Sequence, residues 1–522
     1  PNTEIEKVVV STRSPNSNIT NPTMGVERLT VGEIRRIPAL LGEVDIIRAI
    51  QMMPGVQATS EGSSGFSVRG GAPDQNLILF DNATVYNASH LMGFFSVFNH
   101  DVVSSAELYK GDLPLAYGGR LSALLDVQTR NDYPDKFKGS GGIGLISSRL
   151  TLEGPIGGNT SWLAGARRSY ADMFLVFAKD EDLRNSSLYF YDINAKVTHR
   201  LGKDDMLELN GYYGRDLYGA EIAKFYYGNG TASATWRHRF NNRLAAKFSA
   251  NFSRFHYSAL SYITNMNAEL RSGITDVALR ADFSQDISRL WNLTYGLTST
   301  YHHFNPADAR AENIKANIIG SNALEHGIYI SNHQEINDIV TLRYGIRLSI
   351  FQSMGRSEVY SYDENYEATG STLYRPGQIY NTYAAPEPRI GIVVRTGPTS
   401  SVKANFAGNT QFVQLASNSA SGSPLDIWFP ASPNIKPQQA QMYSVGYFRN
   451  FADNMYEASV EGYYKNMSNV IDFKEHANRM LTDKLEGEVR TGRGRAYGIE
   501  FMLRKNNGRV TGFVNYTLAK AE

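Results

Sequence analysis

Four stretches of the chain carry residue types at spacings that chemistry uses. Gly139 to Gly144, GSGGIG, satisfies the G-x-G-x-x-G pattern that cradles a dinucleotide pyrophosphate, but that site needs a helix after the glycines and the residues that follow alternate like a strand. The small side chains fit better as the first strand of a large sheet passing a close neighbour. His302-His303 has no third ligand at any metal spacing, so a strand or loop pair accounts for it. Asp180-Glu181-Asp182 and Asp204-Asp205 read as solvated turn charges, not as a general acid and its base. With no cysteine anywhere, disulfides, thiolate metal sites and cysteine nucleophiles are excluded together. The expectation is a chain that is not an enzyme and carries no metal or cofactor.

The elements around these residues follow from length and composition. At 522 residues the chain exceeds the roughly 250 to 300 at which single cores stop growing, so it holds two domains or one very large closed sheet. Its 52 Lys and Arg nearly cancel its 51 Asp and Glu; with no basic run either, nucleic acid is excluded as a partner. No apolar run reaches the roughly 18 residues of a membrane helix, so if the chain spans a bilayer it does so as a β-barrel. Pro1 opens no charged and apolar leader, which fits a mature or trimmed chain. Tyr outnumbers Phe, 31 to 25, and Gly reaches 46, a mixture that favours strands.

From about Phe137 onward hydrophobicity alternates in twos. Leu244, Ala246, Phe248, Ala250 and Phe252 oppose Lys247, Ser249, Asn251 and Ser253, and the stretches around Val277 to Phe283 and Tyr456 to Tyr464 repeat the pattern. Tight polar turns recur at Gly158, Lys203, Asn242, Arg289, Asp338, Pro398, Asp453 and Asn507, while long connections separate them at 170–187, 355–386, 412–440 and 472–491. Short turns at one end and elaborate loops at the other are the pattern of outer-membrane barrels, with aromatic residues at strand ends as interfacial girdles. Eight tight turns imply about 16 to 17 strands. The last, ending in YTLAKAE, has no closing strand after it, and an open edge in lipid is not viable. The expectation is a chain truncated before its barrel closes.

Residues before about Arg130 read differently. GEVDIIRAIQMMPGVQ gives a short amphipathic helix ending at Pro54-Gly55, and compact strands follow around 66–69, 77–80, 105–109 and 124–129. This is a small α+β unit ahead of a large antiparallel barrel. RAIQMMPGV, GFSVRGGAPDQNLILFDNATVYNASHLMGFFSVFN and ELYKGDLPLAYGGRLSALLDVQTR together resemble the plug domain of TonB-dependent outer-membrane receptors, in the form common among Bacteroidetes. SSRLTLEGPIGG, GARRSY and NYTLAKAE carry the resemblance into the barrel.

The resemblance implies an N-terminal segment over 1–24, a plug over 25–136 filling a transmembrane barrel over 137–522, and about 22 strands in the whole family barrel. It implies proton-motive-force-driven import of a large nutrient (glycan, peptide, siderophore or cobalamin) across the Gram-negative outer membrane. The partners implied are TonB with ExbB and ExbD, outer-membrane lipid, and a surface SusD-like lipoprotein. The TonB box is assigned to Ile5, Glu6, Lys7, Val8, Val9, Val10, Ser11 and Thr12, a β-prone segment able to add to a partner sheet as an edge strand. A passive porin and a secreted carbohydrate-active β protein stand as alternatives.

Two Gly-rich turns, Arg69-Gly70-Gly71 and Tyr117-Gly118-Gly119-Arg120, are expected at plug–barrel contacts, where Gly permits positive φ and Arg pairs with lumen carboxylates. Tyr86, Asn87 and His90 are expected on an outward-facing plug loop as substrate-binding residues, with Phe94, Phe95 and Phe98 in plug packing. In the Ser-, Asn- and Pro-rich stretch 414–437, Trp428 is expected to be exposed and available to a sugar or peptide; a solvated lid is the other reading of that loop.

Overall fold

The structure, a computed structural model, describes residues 16–37, 43–60, 63–263, 266–311, 314–317, 319–416, 426–477 and 482–522. The TonB-box assignment, Ile5 to Thr12, lies outside the described residues.

Among the described residues the N-terminal part is built on nine short strands: β1 (Val26–Thr30), β2 (Val56–Ala58), β3 (Phe66–Val68), β4 (Asn76–Phe80), β5 (Ala83–Thr84), β6 (Ser89–His90), β7 (Phe95–Ser96), β8 (Val103–Lys110) and β9 (Ala123–Thr129). Five of them form one sheet in the order β1-β8-β9-β4-β5. Its centre is the parallel pair β4–β9, and the other pairs are antiparallel. The apolar runs LILF and ALL sit in this pair, as expected of parallel strands covered on both faces. Helix Ile46–Gln51 packs Ile46, Ile47, Ala49 and Ile50 onto Val68, Phe80, Phe98, Leu108 and Leu125. It starts at Asp45, whose carboxylate accepts from the Arg48 amide at 3.1 Å, a cap that satisfies an otherwise unpaired donor.

Beyond the N-terminal part, the described residues form one antiparallel sheet of 18 strands running from Lys138–Ile143 to Gly512–Ala521, with two separate hairpins on its long connections. Ile314–Asn317 only caps the end of Trp291–Ala311, which pairs directly with Ser321–Glu335, so the wall proper has the strand number that the turns imply. Each of the eight tight turns joins neighbouring strands of this sheet. The opposite end carries the long connections, although Gly219 and Ala223 are bridged there by a short one. Among the described residues no ladder joins the two outermost strands.

Alternation sets the two faces of the wall. On Leu244–Ile263, Phe252 points outward while Lys247, Ser249, Asn251 and Ser253 are buried toward the plug, and Leu279, Leu297, Ile328 and Val445 lie bare on the outside. An apolar exterior with a polar lumen is what a barrel in lipid requires. Residues from near one end of the sheet (Arg149) to near the other (Arg504) touch the N-terminal domain, so the wall wraps around it.

Candidate functional site

The Gly-rich turn after β3 seats the plug. Arg69 takes a positive φ of 46°, is buried, and sends Nε to Glu500 Oε1 at 2.8 Å and Nη2 to Glu461 at 3.2 Å. Lys110, at the end of β8, adds a 2.7 Å pair to the same Glu500. Gly70 follows with φ +68°, and a Cβ there would stand 2.6 Å from that of Ala496. The second turn presses on a different part of the wall: a Cβ on Gly118 would lie 2.5 Å from Arg347 Nε, and one on Gly119 2.9 Å from Glu325. Just before it, the carbonyls of Leu113, Pro114 and Tyr117 all accept from Arg389 at 2.9 to 3.0 Å. Charged groups inside a lumen thus find partners across the plug–wall boundary.

Two of the four substrate-binding candidates are not exposed as expected. His90 is 1 % exposed and does not face outward. Its Nδ1 is 2.6 Å from Asp216 and its Nε2 3.3 Å from Asp192, and its ring stacks on Phe190 at 4.1 Å. Burial works against the charged imidazole, but Asp216 and Asp192 outweigh it and its pKa is raised. Trp428 is 7 % exposed instead of free. The hairpin Val413–Ala416 with Ile427–Pro430 folds into the lumen and brings the Trp428 ring edge-on to Tyr86 at 4.9 Å. The packing assignment also fails at Phe94, which is 56 % exposed, whereas Phe95 and Phe98 are buried.

Tyr86, Asn87 and Trp428 nonetheless line one cavity of about 160 Å³, on the side of the long loops. Arg120 is its fourth notable member, lying 5.3 Å from the Trp428 ring centre and 6.0 Å from that of Tyr86. The Tyr86 hydroxyl donates to Asp276; burial and that carboxylate hold its pKa well above the usual phenol value, so it stays a donor. Asn87 is held locally, its side chain accepting from the Ser89 amide at 3.0 Å, with Asn229 on its carbonyl at 2.6 Å. Asp74, which the sequence did not single out, accepts from Gln411 at 2.9 Å; burial raises its carboxyl pKa and Arg120 offsets part of that rise. Asn76 Oδ1 also lines the cavity without a partner. The signal for the Trp428 placement was the apolar run IWF inside a polar loop.

A polar-lined antiparallel wall occupied by a folded domain, with a small aromatic cavity on the loop side, defines a plugged β-barrel. The family described as "TonB dependent receptor-like, beta-barrel" matches residues 100–522, and the "TonB-dependent Receptor Plug Domain" matches residues 30–123. The chain belongs to the TonB-dependent receptors, outer-membrane proteins that take up ligands and are not enzymes.

Solved structures share the fold. The siderophore receptor PirA from Pseudomonas aeruginosa aligns with a TM-score of 0.67 at 14 % identity, over 96 % of this chain and 85 % of that one. The hemophore receptor HasR of Serratia marcescens, in complex with its hemophore HasA and heme, gives 0.71 at 12 % over 97 % and 82 %. The FrpB iron transporter from Neisseria meningitidis gives 0.70 at 12 % over 96 % and 80 %. No curated protein sequence matches the chain.

Proposed function

We propose that this receptor imports a nutrient ligand from the cell exterior, energised by the proton-motive force through TonB with ExbB and ExbD. The observation that carries the reading is the plug itself: a domain folded inside the lumen and tied to it by ion pairs, notably Arg69 and Lys110 to Glu500, blocks passive flow and can be released by breaking a few polar contacts. This argues against a passive porin. In this reading residues 25–136 are the plug, 137–522 the wall, and 1–24 the lead-in bearing the TonB box at Ile5 to Thr12. The ligand docks over the cavity lined by Tyr86, Asn87, Arg120 and Trp428, whose aromatic and amide lining suits a ring-bearing polar molecule. A siderophore-like chelate is consistent with the ligands named for the similar structures, and a SusD-like lipoprotein is a candidate lid.

Deleting residues 5–13 from the full-length receptor tests the energised step. Uptake of the ligand that co-purifies with the receptor, identified by mass spectrometry, is expected to fall to background while surface binding persists. Normal uptake by the deletant would sink the box assignment.

A further inference from the structure

Behind Tyr86 the outer cavity gives way to a second one of about 100 Å³ between the plug and the wall; the two share Thr84, Tyr86 and Arg120. Three guanidinium groups line this inner cavity, on Arg120, Arg280 and Arg347. Arg280 has a carboxylate of its own, Asp282 at 3.3 Å. The other two form no direct ion pair: Asp74 and Glu325 act on Arg120, and Glu387 and Glu325 on Arg347, only at longer range. Arg120, 6 % exposed, donates to the carbonyls of Gly119 and Val413. Arg347, 3 % exposed, donates to Ser349, Thr298 and the carbonyls of Leu115 and Ala116. All of these acceptors are neutral.

The carboxylates of the same lining are engaged elsewhere. Asp276 holds His302 Nδ1 at 2.8 Å and the Tyr86 hydroxyl, and Glu325 stands 3.6 Å from His302 Nε2. The buried atoms of the lining left without a hydrogen-bond partner are Arg120 Nε, Arg280 Nε, His302 Nε2 and Asn251 Oδ1, so nitrogens outnumber oxygens. Gly118 keeps the space beside Arg347 open, since any side chain there would strike its Nε. A buried cation with no anion in hydrogen-bond contact is costly. A cavity lined by three guanidinium groups, two of which (Arg120 and Arg280) keep an Nε–H to spare, is complementary to an oxyanion.

We propose that this inner cavity is an anion site, taking a carboxylate or phosphate group between Arg120 and Arg347 with Arg280 beside them. The anion is either a free ion or an anionic group of the imported ligand lowered from the outer cavity. The second source rests on the uptake route proposed above; the site itself does not, because its occupancy is measured without transport.

The test is calorimetric titration of the full-length receptor in detergent with inorganic phosphate and, separately, acetate. At least one is expected to bind saturably, and Arg120→Gln and Arg347→Gln are each expected to weaken it at least about tenfold. Glu325→Gln is expected to tighten it, because Glu325 faces both guanidinium charges and the change removes a competing anion without removing a donor. Heat-modifiable gel migration verifies that each variant is folded. Absence of saturable binding by either ion, or equal affinity in the wild type and both arginine variants, overturns the site; so does weaker binding in Glu325→Gln. Competition between the bound ion and the co-purified ligand assigns the site to that ligand's anionic group, whereas independent binding assigns it to a free ion.

Discussion

Arg69 of the plug and Glu500 of the wall meet fork to fork, Nε to Oε1 at 2.8 Å and Nη2 to Oε2 at 3.0 Å. Because Glu500 also holds Lys110, one carboxylate is shared by two buried plug cations. Glu500→Gln leaves both with only Glu461 near Arg69, and about 3 to 5 kcal/mol of plug stability is expected to go with it. Amide exchange should quicken in β3 and β8 while the wall strands stay protected. Unchanged exchange in β8 would contradict the ionic seat.

A second pairing sets a pH dependence. His90 has a raised folded-state pKa, caused by Asp216 and Asp192 against the opposing effect of burial. Its contribution is therefore complete below the ordinary histidine value of about 6.5 and fades as pH climbs through the raised one. Plug exchange from pH 6 upward, taken relative to the base-catalysed intrinsic rate, should accelerate in the wild type, and His90→Gln should flatten that slope. Equal slopes would remove His90 as the cause.

Gly70 carries a conformational and a steric requirement at once. Gly70→Val needs positive φ from a β-branched residue and drives methyl groups at Ala496, so a loss of at least about 1 kcal/mol is expected. Imperfect seating of the plug should appear as ion conductance in planar bilayers where the wild type is closed. A variant as silent as the wild type would show that the close approach at Ala496 relaxes easily.

The outer cavity depends on Trp428 and Tyr86 as a pair. Trp428→Ala opens its roof and is expected to reduce the affinity for the co-purified ligand about tenfold. Tyr86→Phe keeps the ring and loses only the bond to Asp276, so its effect should be smaller. Ligand retained per receptor after washing, quantified by mass spectrometry, checks both; full retention by Trp428→Ala would move the ligand contact elsewhere.

The elements of the fold were legible because their signals are local. Alternation around Leu244 to Phe252 gave the two faces, polar pairs such as Asp338 and Asn507 gave the turns, and the apolar spacing ahead of Pro54-Gly55 gave the helix. The site was legible only in outline. Alternation says that Asp216 and Asp276 face the lumen, but not where on the circumference they stand, so their contacts with His90 and Tyr86 could not be read. Glu500 is over four hundred residues from Arg69, and nothing at either position names the other. Trp428 misled for a related reason: a Ser-rich loop reads as solvated, whereas its apolar strand Ile427–Pro430 packs inward and pairs with Val413–Ala416.

The position of β1 has a mechanical side. Among the described residues it is the first strand of the chain, and it lies at the edge of the plug sheet with a ladder to β8 alone, Val26 to Thr30 against Tyr109 to Ser105. A tug on the chain ahead of it loads this short zipper and the Glu27–Arg504 clasp before any force reaches the parallel pair at the sheet's centre. A pull applied there meets a single ladder at the rim, whereas β4 and β9 at the middle are each held by two.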